Sequence, residues 1–262
     1  GRIVIAMTEQ SIRDRRTAAI EQSIEIVRRR IDETGVREPT IQRQGEDRIL
    51  VQLPGLDDPE RVKRLLGKTA KMAFHLVDSR QNSIRSIKTP PGSFRAPSVD
   101  EVGPDGRPRM YLIKKRVMVS GDTLIDSQPS FQDNQPVVSF RFDTLGGKLF
   151  GKATSENVGK LFAIILDGKV ISAPVIREPI LGGSGVISGN FTVQSAQDLA
   201  LLLRAGALPA PLTILEERSV GPGLGADSVA AGKTASMIGM ALVIIFMVVV
   251  YGRFGLMADV AL

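Results

Sequence analysis

No cysteine occurs among the 262 residues, which rules out disulfides, thiolate metal sites and cysteine nucleophiles. A single histidine, His75, leaves no second imidazole for a proton relay and no set of imidazoles for a zinc site. It lies in an alternating stretch, Lys71 to Asp78, where a packed or rim position is expected rather than a catalytic one. Tryptophan is absent and tyrosine occurs twice, so nucleic-acid bases would find no ladder of aromatic faces to stack on. The net charge of +6 is spread thinly: +2 over residues 1–79, +3 over 80–135, +1 over 136–222 and zero over 223–262. Lys114-Lys115-Arg116 is a tight basic cluster but no stripe with stacking aromatics accompanies it, and nucleic acid is not an expected partner.

The remaining polar residues do not assemble a catalytic set. Glu216 and Glu217, placed on a strand, would point to opposite faces and could not share a substrate. Gly232-Lys233-Thr234 resembles the end of a phosphate-binding loop, but that loop needs a glycine where Asp227 stands. Gly183-Ser184-Gly185 is followed by Gly189 rather than by a glycine at 188, which spoils a dinucleotide fingerprint. No catalytic residue, cofactor or metal ligand is expected, and the chain does not read as an enzyme.

What is present is a long apolar run. Ala235 to Tyr251 reads ASMIGMALVIIFMVVVY without a charge, enough with its neighbours to cross a hydrocarbon core of ~30 Å as a helix. Leu242 to Val249 are all apolar and leave no polar face for water. A membrane span over about 234–252 is therefore predicted, with Lys233, Tyr251 and Arg253 at the membrane interface. Asp259 falls in a second apolar segment six residues beyond Arg253, where interfacial placement is expected. Arg253 in a short loop after the span favours the cytoplasmic side, which puts the preceding globular part outside the cytoplasm. The chain begins in mid-strand, as a fragment of a longer membrane protein would.

The first 220 residues alternate like a globular protein. Ile3, Ile5 and Met7 share a strand face, and Ile20, Ile24, Val27 and Ile31 form the stripe of a helix that Gly35 ends. Strands follow at Thr40–Gln42 and Arg48–Leu53 around a Gly45-Glu46-Asp47 turn. Asp58-Pro59 opens a second helix, and Met72–Val77 closes a βαββαβ order. Residues 80–135 are punctuated by Pro and Gly and read as an extended connection carrying one or two short strands. From 136 come a strand at Val138–Phe142 and a helix with Leu145, Leu149 and Ala153 inward. An Asp167-Gly168 hairpin follows, then a Gly182-Gly183-Ser184-Gly185 turn and a helix capped by Thr192. A last strand is expected at Pro211–Leu215. The chain thus reads as α+β, with ferredoxin-like units over 1–79 and 136–222 joined by 80–135, and a transmembrane α-helix within 223–262. Gly182, Gly183 and Gly185 are candidate hinge residues, with a plain turn as the competing reading.

Several strings then combine: EQSIEIVRRRID from Glu21, EPTIQRQG from Glu38, RILVQLPG from Arg48, DGKVISAP from Asp167 and LLRAGALPAP from Leu202. Together they resemble the SecD/SecF family of bacterial preprotein translocase subunits. The resemblance implies a two-part periplasmic region, a base and a mobile head, followed by the second membrane helix in the inner membrane. It further implies SecF, the SecYEG channel, unfolded preprotein and the lipid bilayer as partners, and the proton-motive force as energy source. The proton-pathway residues of the family are expected outside this sequence, and that role is not carried over to Asp259. The alternatives are the soluble domain of a related RND-type exporter, which would show a deep apolar pocket, and a membrane-anchored enzyme.

Overall fold

A computed structural model describes residues 8–56, 58–82, 89–103, 106–219 and 223–251. The expected strand at Ile3–Met7 lies outside them, as do Arg253 and Asp259. The chain divides into two compact units, residues 1–213 and 214–262.

In the first unit, α1 (Glu9–Asp32) leads to β1 (Thr40–Gln44) and β2 (Arg48–Gln52), which pair as a two-stranded ribbon. Then come α2 (Pro59–Gly67) and β3 (Met72–Val77). Asp58 caps α2 by accepting from the Arg61 amide at 2.9 Å, with Pro59 in the first turn, as the sequence predicts. Among the described residues β3 pairs with neither β1 nor β2, so the first βαββαβ pattern does not close into one sheet. The reason is in β3 itself: Phe74 and Leu76 are buried on one face, His75 and Val77 on the other. A strand apolar on both sides needs layers on both sides.

The barrel supplies them. β4 (Ser93–Val102) and β5 (Pro108–Ser120) form a hairpin, and β8 (Phe162–Leu166) and β9 (Lys169–Ser172) form another. With β3 they close in the order β3-β5-β4-β9-β8. A separate three-stranded sheet has the order β10-β7-β6, from β6 (Leu124–Gln132), β7 (Gln135–Phe142) and β10 (Ser184–Ile187). The 80–135 stretch therefore holds three strands, not a connection with one or two. Two of its prolines sit where a ladder tolerates them: Pro108 begins β5, and Pro129 lies on β6, an edge strand. Strands of the expected second unit are likewise shared between barrel and sheet. Residues 211–219 form no strand, since Pro209 and Pro211 withhold backbone donors, and Ile214 and Leu215 are exposed.

One aromatic cluster joins barrel to sheet. The Phe74 ring lies 5.4–5.8 Å from those of Phe140, Phe142, Phe150 and Phe162. Phe150 belongs to α3 (Thr144–Glu156), whose inward face is Gly146, Phe150, Ala153 and Thr154 rather than the expected Leu145 and Leu149, which are 61% and 41% exposed. Glycine sets that face: a Cβ on Gly146 would stand 2.4 Å from Thr123 Oγ1, so only this side can approach so closely.

The last helix of the unit, α4 (Val193–Ala205), is buried on two sides. Ala196, Leu199, Ala200 and Leu203 join the aromatic core, while Leu201 and Leu202 pack on Leu65 of α2 and on Ala70. Thr192 caps it through the Ser195 amide at 3.1 Å. Salt bridges flank it, Arg61–Asp198 to α2 at 2.8 Å and Glu33–Arg204 to the end of α1 at 2.6 Å.

At the C-terminal end of α4 lies Arg30 of α1, which has no solvent exposure. Its guanidinium donates to the carbonyls of Leu65 (2.7 Å), Lys68 (2.5 Å), Thr69 (3.3 Å) and Gly206 (3.2 Å). A cation thus meets the negative ends of two helices at once. Burial pulls its pKa down to about 10 against the raising field of Asp167, and it remains a cation at neutral pH. Asp167 holds the same segment from the other side, accepting the amides of Ala70 (3.0 Å) and Lys71 (2.9 Å).

Among its described residues the second unit contains one helix, α5 (Gly223–Tyr251). Its stretch Val229–Tyr251 is long and apolar enough to cross a membrane.

Removing Arg30 strands four carbonyls at once. Arg30→Met is expected to lower the stability of the first unit by at least ~3 kcal/mol, read from urea unfolding of the purified chain. Arg29→Met, on the exposed side of the same helix, should change it by less than ~0.5 kcal/mol.

Candidate functional site

The three-stranded sheet leaves two outer edges, because among the described residues β6 and β10 each pair only with β7. They differ chemically. β6 carries Pro129, which interrupts its row of donors, and ends in a two-residue turn at Asp133-Asn134 with positive φ at both positions. β10 contains no proline and exposes Val186 at 43%. Beside the start of β10 lies an open groove of about 560 Å³, lined by Phe142, Thr144, Lys148, Lys152, Leu181 and Gly183 among others. Leu181, 76% exposed, adds apolar surface to this groove. An open backbone edge beside a shallow groove of mixed polarity suits an extended chain of varied sequence better than a small apolar ligand.

The three candidate hinge glycines fall here, with different roles. Gly183 has φ +65° and sits so close to α3 that an added Cβ would be 3.1 Å from the Gly147 Cα. Gly185 lies inside β10, not in the turn, and its added Cβ would be 2.6 Å from the Phe140 ring. Gly182 is open, with nothing nearer than Ser184 Oγ at 3.8 Å. The turn leads from irregular chain into β10 rather than joining two strands.

Other polar groups are structural. His75 is buried, with Nδ1 on the Lys114 carbonyl at 2.9 Å and its ring edge-on to Phe94. Asp78 accepts from Arg80 and from the Ser93 hydroxyl, both at 2.7 Å, and these bonds hold it far below the usual carboxylate range. Tyr111, desolvated and bonded to Glu101 at 2.8 Å, is pushed up to about 12. Glu216 pairs with Arg218 in irregular chain. No group of three or more His, Asp or Glu able to hold a metal occurs among the described residues. Lys233 and Tyr251 both lie within α5, Tyr251 at its last residue.

Two family models match in succession. One, "Protein translocase subunit SecDF, P1 domain, N-terminal", covers residues 20–79; the other, "SecDF, P1 head subdomain", covers 98–210. Among solved structures, that of "a membrane component SecDF that enhances protein export" is 30% identical with a TM-score of 0.62, covering 83% of this chain and 96% of that one. The chain belongs to the SecD family. A crystal structure of SecDF in super-membrane-facing form is 32% identical with a TM-score of 0.65, over 93% of this chain and 34% of that one. Protein translocase subunit SecD of Rickettsia bellii is 52% identical and that of Acetobacter pasteurianus 51%, each over 100% of this chain and 50% of theirs. The chain thus spans about half the length of the curated SecD relatives it matches. The head model begins within β4 and runs through α4, so it takes in the open sheet edges and the aromatic core except for Phe74 of β3, which falls under the N-terminal model.

The environments of the glycines predict unequal tolerance. Phe140 is wedged among Phe74, Phe142 and Phe150 and cannot swing away, so Gly185→Ala should cost ~1–3 kcal/mol in a thermal melt. Gly182→Ala should leave the melt unchanged.

Proposed function

We propose that residues 1–219 are the periplasmic, substrate-handling part of a SecD subunit, working without chemistry of its own. The single observation that carries this is the family match, which places the head subdomain model on the sheet with an open β10 edge. In this reading α5 anchors the unit in the bacterial inner membrane. The chain acts with SecF beside SecYEG, and the proton-motive force enters through parts of the protein beyond this sequence. The Lys233 and Tyr251 side chains of α5, with Arg253 and Asp259 after it, would meet the two membrane interfaces.

The mechanism we infer is capture of an extended preprotein segment. Backbone groups along β10 add a strand irrespective of sequence, and Val186 and Leu181 supply apolar contact. Directional movement then requires the head to move against the base. Because Phe74 of β3 packs among the rings of the sheet and α3, the base of this proposal is α1, β1, β2 and α2 with the membrane segment, and the head is the barrel with the sheet and α3. Gly182 is the candidate hinge with free space around it, while Gly183 and Gly185 are held by close packing.

The test is a photo-crosslinker at Val186 in the full-length protein, in cells carrying a preprotein stalled late in export. Crosslinks to the preprotein at 186, absent from a probe at Lys169 on the β8–β9 hairpin, are expected. Equal capture at both positions, or none at 186, would contradict the proposed surface.

A further inference from the structure

We propose that a bulge in β5 is a docking face for anionic phospholipid headgroups. Between the β3–β5 pairs His75↔Val117 and Val77↔Ile113, one residue of β3 faces three of β5. The three are Lys114-Lys115-Arg116, so the irregular ladder carries a run of three basic residues and leaves Lys115 and Arg116 exposed. Lys115 and Arg116 are exposed and have no ion-pair partner among the described residues. The bulge is fixed from both sides: the Lys114 carbonyl bonds His75, and the Lys115 amide donates to the Gly92 carbonyl at 2.9 Å.

Acidic residues are sparse along the two strands that carry the bulge. No Asp or Glu occurs from Thr89 to Val99 or from Gly106 to Gly121, which hold most of β4 and all of β5. Asp78 lies nearby, its backbone amide on the Leu112 carbonyl, and its carboxylate is already paired with Arg80 and accepts from the Ser93 hydroxyl. Next to the cations, Val117 is 48% exposed. Two unpaired cations beside an exposed aliphatic residue match a headgroup layer, where phosphate meets the first methylenes. An acidic polypeptide would use the cations but not Val117. A bilayer is also the anionic surface that the chain carries with it through α5, so tethering raises its effective concentration. The inference rests on the membrane-span reading of α5 and not on preprotein capture.

The absence of native cysteine allows a direct test. The full chain, with Val117→Cys carrying a polarity-sensitive fluorophore, is placed in nanodiscs of phosphatidylcholine alone or mixed with phosphatidylglycerol. A blue shift is expected with phosphatidylglycerol only, reversed by high salt and lost in Lys115→Glu/Arg116→Glu but kept in Lys169→Glu. Lys115→Gln/Arg116→Gln, a milder change, should also lose the shift if the charge-reversed chain fails to fold by circular dichroism. Identical emission in both discs, or a shift that survives the neutral double variant, would overturn the proposal. So would a shift produced by soluble poly-glutamate in phosphatidylcholine discs and absent with phosphatidylglycerol.

Discussion

Helix α4 is the constraint on which the first unit depends. Its run Leu199-Ala200-Leu201-Leu202-Leu203 is buried right round the helix, so no face is left for solvent. Such a helix must be enclosed by two layers. Here one layer is the aromatic core shared by barrel and sheet, and the other is α1 with α2. Arg30 locks the arrangement at the C-terminal end by filling the carbonyls of α2, of the 68–69 segment and of Gly206 with one side chain. A buried cation is costly by itself. It is tolerated because it replaces four water-facing carbonyl contacts that burial would otherwise orphan.

In the proposed substrate-handling role, the close packing around the sheet has a direct use. The open β10 edge rests on β7, β7 rests through Phe140 and Phe142 on Phe74 of the barrel, and α4 backs the same core. Force applied along the edge therefore meets close-packed rings, which transmit strain with little give. The polar residues agree with that picture: His75, Asp78, Glu101 and Asp167 are all spent on backbone or neighbouring side chains.

Local signals were legible in the sequence, and distant ones were not. Asp167-Gly168, Asp58-Pro59 and Thr192 do what their short-range chemistry dictates, since each motif carries its own partners. The partners of β3 are set by a barrel whose strands come from residues 40 and 90 positions downstream, and alternation says nothing about that. Prolines at 90, 91, 108 and 129 hid strands because a ladder edge or start accepts a proline that a central strand does not, and Pro97 sits inside β4, where pairing with β9 is a single bridge at Ser98. In α3 leucine spacing misled: Leu145 and Leu149 look like a core stripe, yet Gly146 permits the closer approach and Phe150 fills it. The Asp133-Asn134 turn and Arg30 were missed although both left a trace. One is a pair of residues that tolerate positive φ, the other an arginine four residues after Ile26 and three after Val27 on the buried face. The site itself was legible only as far as its glycines and its half of the chain, because an unpaired edge is a property of the finished sheet.

Native-state hydrogen exchange on the α4 amides tests the account most directly. If α4 is enclosed by both layers, its amides should exchange only through global unfolding of residues 1–213, at the same free energy as those of β3 and β8. Exchange of α4 together with α1 and α2 at a clearly lower free energy, while the barrel stays protected, would contradict it.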